Sequence, residues 1–188
     1  YRTLLADLAE QTPHMRVVGM TATPFRLAGG AICKPDNFLT AVSYEASIRD
    51  MIADGYLCKL TSKAGKVHAD LSGVHIQGGE FKADEVAAIM DDEKLVRSAC
   101  GEMVAATRDR EAVLVFCAGV EHAEHIATEI RRITGDEVGV VTGDTSPALR
   151  EDLIARIRGE DVMADLLTPA APLKWLVNVN VLTTGFDA

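Results

Sequence analysis

Apolar residues in the second half of the chain follow two alternating patterns. Runs dominated by apolar residues at 112–117, 138–141 and 175–182 predict buried strands, because a strand covered on both faces needs no polar side. Between them, apolar side chains recur three and four residues apart, which predicts a helix that begins at Gly119 and another at residues 147–158. This βαβαβ order predicts an α/β fold with a parallel sheet and right-handed crossovers.

The first half of the chain is patterned less regularly. Residues 17–25 begin with an apolar run and end in Thr-Ala-Thr-Pro-Phe, which predicts a buried strand that stops where proline cannot donate a hydrogen bond. The remaining predicted elements are a helix at 1–11, a loop at 25–40, a connecting helix at 44–57, an edge strand with a loop at 59–81, helices at 84–90 and 93–108, and an insertion at 159–172.

Charge narrows the range of functions. The 188 residues carry 28 acidic side chains against 19 of Lys and Arg, a formal net charge of −9. Because Lys and Arg drive phosphate binding, this balance gives no support for a broad basic nucleic-acid surface. A nucleic-acid site in this chain therefore has to be local, or built from backbone and hydroxyl groups.

The cysteines and the chain ends indicate the cellular compartment of the protein and whether the chain is a fragment. The cysteines are scattered without a C-x-x-C pair, which predicts reduced thiols in a cytoplasmic protein and no zinc site. We expect no membrane partner, since no signal peptide and no bilayer-length apolar run is present. The chain opens without Met and stops after Gly-Phe-Asp-Ala, so we expect both ends to be cut from a longer polypeptide. The four cysteines are Cys33, Cys58, Cys100 and Cys117.

The loops after the predicted strands hold the candidate chemistry. In a parallel sheet they emerge at one edge, so Cys117-Ala118-Gly119, Thr142-Gly143-Asp144 and Thr183-Thr184-Gly185-Phe186-Asp187 should line one surface. Glycines there let a ligand approach the backbone, and hydroxyls can bond phosphate oxygens. Each segment also has a plain structural interpretation as a turn, a helix cap or a strand-end glycine. Ser146 and Pro147 are suited to the N-cap and first turn of the helix that follows.

Two other polar groups have structural interpretations of their own. Taken alone, Thr21-Ala22-Thr23 closes a strand and starts a turn. Glu121-His122-Ala123-Glu124-His125 fits neither H-E-x-x-H nor H-x-x-E-H, so we interpret it as a solvated helix face and predict no metal site.

Four ordered blocks resemble the superfamily 2 DEAD/DEAH-box helicases. The blocks are GMTATPFRL at 19–27, VLVFCAGVEHAEHIA at 113–127, VTGDT at 141–145 and LVNVNVLTTGFDA at 176–188. The match spans nearly the whole chain, and the closest branch is the RadD-like bacterial DNA repair helicases with the related motor subunits of restriction enzymes.

The resemblance implies a RecA-like parallel sheet flanked by helices, and a division into domains. Residues 1–43 would be the C-terminal end of a first, ATP-binding RecA-like domain. Residues 44–58 would be a linker. Residues 59–188 would be a second RecA-like domain, truncated before its last motif.

The resemblance also implies a role for each matched residue. Thr21, Ala22 and Thr23 match motif III, which couples ATP hydrolysis to strand separation, and residues 115–117 match motif IV. The nucleic-acid-binding residues that it implies are Thr142, Gly143, Asp144, Thr183 and Thr184. The nucleotide-binding residues that it implies are Gly185 and Asp187.

The chain departs from the family pattern in what it lacks. It has no G-x-x-x-x-G-K-[ST] phosphate loop, no D-E-x-H magnesium box and no arginine-finger motif. ATP and Mg would therefore be bound mainly by residues outside this chain, and we expect the chain alone to be inactive. In the full-length protein the resemblance implies an ATP-dependent helicase or translocase of DNA repair or recombination, with DNA favoured over RNA as its partner.

Other functions stay open at this point. One is an ATP-dependent motor subunit of a restriction system, and another is a nucleic-acid-binding module without hydrolysis, which the acidic charge disfavours. A third is a different two-domain nucleotide-binding enzyme, such as a sugar-nucleotide transferase. Thr-Ala-Thr-Pro followed by Thr-Thr-Gly-Phe-Asp argues against the third.

Overall fold

A computed structural model of the chain describes residues 2–26, 30–77, 80–163 and 169–182. The chain divides into two compact units, one formed by Tyr1–Ser62 with Gly78–Glu80 and the other by Lys63–Gln77 with Phe81–Ala188. Its elements are α1 (Arg2–Gln11), β1 (Phe25–Arg26), β2 (Gly30–Ala31), α2 (Ile48–Ala53), β3 (Ile76–Gln77), β4 (Glu80–Phe81), α3 (Ala83–Met90), α4 (Glu93–Ala106), β5 (Val113–Phe116), α5 (Val120–Thr134), β6 (Val138–Val141), α6 (Pro147–Ile157) and β7 (Trp175–Asn178).

The second unit is built on a three-stranded parallel sheet. Strand β7 lies between β5 and β6 and pairs in parallel with both. The register places Phe116, Asn178 and Val141 side by side at the carboxyl ends of the strands. The predicted α/β fold, a parallel sheet flanked by helices, is therefore confirmed and is consistent with a RecA-like fragment.

Helices cover both faces of this sheet. On one face, Trp175 and Val177 pack in a cluster with buried side chains of α4 and α5, such as Cys100 and Ile130. On the other, Leu176 packs in a cluster with buried side chains of α6. Successive residues of a strand point to opposite faces, which explains why β7 is apolar at consecutive positions.

The predicted helix ends of this unit are confirmed by their caps. The Ser146 side chain accepts a hydrogen bond from the Leu149 N–H, and Pro147 occupies the first turn of α6. Helix α5 begins after Gly119 and ends at Gly135, whose φ of 75° is the left-handed conformation that glycine adopts without strain.

The predicted buried strand at residues 17–25 is wrong. Val18 and Met20 are 83% and 97% exposed, and the only strand within these residues begins at Phe25. Strand β1 pairs with β2 in a short antiparallel hairpin, inside the segment predicted as a loop. An apolar run becomes a buried strand only where a neighbour satisfies its backbone groups, and no strand in the described ranges pairs with residues 17–20.

Three other elements are shorter than predicted. The last strand stops at Asn178 instead of residue 182, because the Asn178 side chain accepts from the Leu182 N–H and Asn180 adopts a φ of 55°. The connecting helix covers only Ile48–Ala53, between its Ser47 cap and Gly55 with a φ of 81°. In the described residues of 59–77 and 80–81, strand structure is limited to β3 and β4. Among the helices of the described ranges, none combines the length and apolar character needed to cross a membrane.

Candidate functional site

The loop between β6 and α6 is tied together by two threonine hydroxyls. The Thr142 N–H donates to Thr145 Oγ1 at 2.9 Å, and the Asp144 N–H donates to Thr142 Oγ1 at 3.3 Å. The Thr145 N–H in turn donates to the Thr142 carbonyl at 3.2 Å. Each hydroxyl oxygen accepts from the backbone, so each keeps its own proton to donate to a ligand.

Few backbone N–H groups of this loop remain available to a ligand. The N–H groups of Gly143 and Ala148 have no partner within the described part of the chain, and Pro147 has none to offer. Both lie at or just before the first turn of α6, where unpaired N–H groups and the helix dipole favour an anion. This end of α6 can therefore bind a phosphate, with hydroxyl groups beside it.

Gly143 is not required by the geometry of the turn. Its φ lies outside the left-handed region, and a Cβ placed on it would meet no atom within 4 Å. Glycine here therefore leaves open space in front of the backbone, which a ligand can use.

Arg150 supplies positive charge behind this loop, and sequence reasoning missed it. One of its terminal nitrogens donates to the Thr145 carbonyl at 3.3 Å, while its Nε is buried without a hydrogen-bond partner. Its spacing of one helical turn from the Ser146 cap was the signal available in the sequence. The exposed Asp144 carboxylate opposes an anion in the same loop, so the local charge is mixed.

The loop after β5 is held by a histidine. The Ala118 N–H donates to His122 Nδ1 at 3.3 Å, and His122 is buried with only 6% of its surface exposed. Burial lowers the pKa of His122, so the imidazole is neutral at pH 7. The predicted solvated face is therefore wrong for His122, which packs inward from α5 and bonds the loop.

The other histidine of that motif lies on the surface. His125 Nδ1 bonds Asp91 at 2.7 Å, and this hydrogen bond raises the pKa of His125. Within the described ranges, no group of three or more His, Cys, Asp or Glu side chains is arranged to hold a metal ion.

The cysteine that follows β5 is an unreactive thiol at neutral pH. Burial raises the pKa of the Cys117 thiol to about 11, with a smaller contribution from Asp91. The thiolate is the form that attacks electrophiles and binds metals, so at neutral pH Cys117 is a packing residue.

The third loop of this edge begins at Asn178, which is fully buried. Its Nδ2 donates to the Val115 carbonyl of β5 at 3.0 Å, and its Oδ1 accepts from the Leu182 N–H at 3.3 Å. The predicted residues that follow, Thr183, Thr184, Gly185 and Asp187, lie outside the described residues.

The predicted coupling residues lie in the first unit. Thr21, Ala22 and Thr23 are exposed, and the Thr23 N–H donates to Thr21 Oγ1 at 3.0 Å. The two hydroxyl oxygens of this turn lie 3.4 Å apart. Thr142, Gly143 and Asp144 belong to the second unit, so the structure places the two sets of predicted residues in different units.

The sequence carries no phosphate loop, and within the described part of the chain no three His, Cys, Asp or Glu side chains group to hold a metal ion. The β6 loop offers hydroxyl and amide groups, which can bond phosphate oxygens.

Comparison with known proteins links the chain to helicases. No family model matches it. It is 29% identical over 183 residues to the Schizosaccharomyces pombe protein named "Putative mitochondrial ATP-dependent helicase irc3", covering 92% of the chain and 26% of that protein. It is 22% identical over 191 residues to the Saccharomyces cerevisiae protein named "Putative ATP-dependent helicase IRC3", covering 100% of the chain and 26% of that protein. The chain thus spans about a quarter of the length of these relatives. The similarity supports a relationship to helicases in general and does not single out a RadD-like branch.

Proposed function

We propose that the chain is part of an ATP-dependent helicase or translocase of superfamily 2 and that its second unit is a RecA-like domain that holds one strand of nucleic acid. The observation that carries the proposal is the β6 loop, where the Gly143 N–H and the hydroxyls of Thr142 and Thr145 occur in the few residues before α6. The similarity to two proteins named as ATP-dependent helicases supports the same function.

Phosphate is the chemical group that this loop fits. The threonine side chains are short, and the hydrogen bonds of Thr142 and Thr145 already hold the loop in place. Little conformational entropy is therefore lost when an anion binds. No base-reading side chain is needed, because phosphate contacts fix position without reading sequence. Such a contact suits a motor that has to pass along any sequence.

The first unit would couple nucleic-acid binding at the β6 loop to ATP hydrolysis. In the proposed arrangement, Thr21, Ala22 and Thr23 couple the hydrolysis site to the nucleic-acid site. ATP and Mg would be held mainly by residues outside this chain, with Gly185 and Asp187 contributing to the nucleotide and Thr183 and Thr184 to the nucleic acid. When bound, the nucleotide supplies the free energy that moves one domain relative to the other.

The finer assignments rest on the matched motifs. We propose DNA as the substrate and a RadD-like role in DNA repair or recombination. A motor subunit of a restriction system is the alternative within the same mechanism. A module that binds nucleic acid without hydrolysis is the alternative outside it, and the net charge of −9 argues against that one.

Gly143→Val tests the proposed binding of a nucleic-acid phosphate by the β6 loop. The side chain would fill the open space in front of the Gly143 N–H, so we expect single-stranded DNA binding by the full-length protein to weaken about tenfold, which corresponds to about 1.4 kcal/mol. ATP affinity should not change. Because few Lys or Arg contacts are involved, the parent protein should also show a shallow dependence of affinity on salt. Fluorescence anisotropy with a labelled oligonucleotide measures both quantities.

Gly101→Val is the matched control for this experiment. Gly101 lies on α4 in the same unit, and a Cβ placed on it also meets no atom within 4 Å. We expect this variant to bind DNA like the parent. A folded Gly143→Val protein with parental DNA affinity would exclude the β6 loop as a phosphate site.

A further inference from the structure

The three loops at the carboxyl edge of the sheet share one type of hydrogen bond. In each loop a side chain accepts a hydrogen bond from a backbone N–H: His122 from Ala118 after β5, Thr145 from Thr142 after β6, and Asn178 from Leu182 after β7. The hydroxyl and amide side chains keep this ability at any physiological pH. An imidazole nitrogen loses it when it gains a proton.

The contact of His122 controls a tightly packed loop. The Ala118 N–H precedes Gly119, which begins α5, and a Cβ placed on Gly119 would lie 3.1 Å from the Ala87 Cβ of α3. The backbone at Gly119 therefore lies close against α3. A protonated His122 would turn an N–H toward the N–H of Ala118, and two donors facing each other would push the loop out of this arrangement.

We propose that His122 is a positioning residue that fixes the Cys117-Ala118-Gly119 loop, so that nucleic-acid binding at this edge weakens when its imidazole is protonated. The inference rests on the proposed function, because that loop leaves the same edge of the sheet as the β6 loop, with β7 between the two strands. The charged groups around His122 are Asp91, which follows α3, and His125 on α5. Glu93 and Arg97 of α4 line a cavity of about 360 Å³ together with Asp91 and His125, and His122 is not among its lining residues.

The sign of the expected pH effect separates positioning from simple charge attraction. A histidine that contacted phosphate directly would strengthen DNA binding when it became positive. His122 is expected to do the opposite. Folding lowers its pKa from an ordinary 6.5, so the unfolded chain gains the proton first, and stability is lost as pH falls below 6.5 toward the lowered pKa.

The experiment compares His122→Asn with the parent, since asparagine keeps an acceptor near the position of Nδ1 but does not titrate. We expect binding of single-stranded DNA by the full-length protein to weaken progressively as the pH falls below 6.5, by up to about fivefold once the imidazole is protonated, the value of one lost hydrogen bond. His122→Asn should bind like the parent at pH 7.5 and keep that affinity at pH 5.5. His122→Ala should bind weakly at both values.

His75→Asn is the control, because it makes the same change at an exposed histidine that bonds Glu85 in the same unit. It should keep the parental pH profile. A His122→Asn protein that weakens on acidification like the parent would overturn the inference.

A second readout separates this inference from the proposed function. If the parent protein binds no oligonucleotide at pH 7.5, the proposed function has failed, and the inference is then decided by amide hydrogen exchange at Ala118. Protection beyond the intrinsic rate should fall on acidification in the parent but not in His122→Asn. Equal protection in the parent and in His122→Ala would overturn the holding role.

Discussion

Gly139→Val is expected to destabilise the second unit by about 3 kcal/mol, the upper part of the range for overpacked cores. Gly139 lies in the middle of β6, and a Cβ there would come within 2.8 Å of Leu173 and 2.9 Å of both Leu153 and Leu176. All three leucines are buried in one cluster, so none can move aside without displacing another. Thermal unfolding should show a melting temperature about 6–12 °C below that of the parent.

Gly143→Val provides the matched control for stability. It makes the same substitution four residues later, where the new side chain meets open space and the backbone is unstrained. We expect its melting temperature to stay close to that of the parent. Equal melting temperatures for Gly139→Val and the parent would show that β6 does not pack against the α6 face as described.

Thr23→Ala should separate ATP hydrolysis from unwinding in the full-length protein. The substitution removes a hydroxyl but keeps the Thr23 N–H that donates to Thr21 Oγ1, so the turn itself should persist. We expect the unwinding rate to fall at least about tenfold, equivalent to about 1.4 kcal/mol, while the ATP hydrolysis rate changes little. A strand-displacement assay and a phosphate-release assay on the same preparation measure the two rates.

Thr23→Ser is the control for this uncoupling. Serine restores the hydroxyl 3.4 Å from that of Thr21 and should recover most of the unwinding rate. Equal loss of unwinding and hydrolysis in a folded Thr23→Ala protein would contradict a coupling role and assign Thr23 to the chemistry or to stability.

Sequence patterns were enough to predict the central sheet of the second unit. Trp175, Leu176 and Val177 are apolar because β7 is covered on both faces, and that coverage is visible as an unbroken apolar run. The end of the strand was not predictable from hydropathy. Asn178 lies within the same run, and only the structure shows that its side chain bonds the neighbouring strand and the Leu182 N–H.

The misassigned strand at residues 17–25 has a different cause. Hydropathy reports that a segment can be buried, but burial depends on partners that are distant in sequence. Within the described residues no strand pairs with Val17 to Met20, so the run stays exposed.

In the candidate site, too, the environment of a side chain was predictable only where its partners are close in sequence. The Ser146 cap follows from a local sequence signal and was predicted. His122 looked like His125 in the sequence, because both are polar residues on one helix. Their environments differ because His122 turns back to the Ala118 N–H, whereas His125 reaches Asp91, which is 34 residues away.

Steady-state ATP hydrolysis by the full-length protein, measured with and without single-stranded DNA, tests the central claim most directly. We predict ATP hydrolysis whose rate rises when DNA is added, and no turnover by the 188-residue chain alone, since that chain has no phosphate loop. Turnover by the repurified chain would contradict its expected inactivity. A full-length protein whose ATP hydrolysis is absent, or is unchanged by DNA, would contradict the assignment as a nucleic-acid motor.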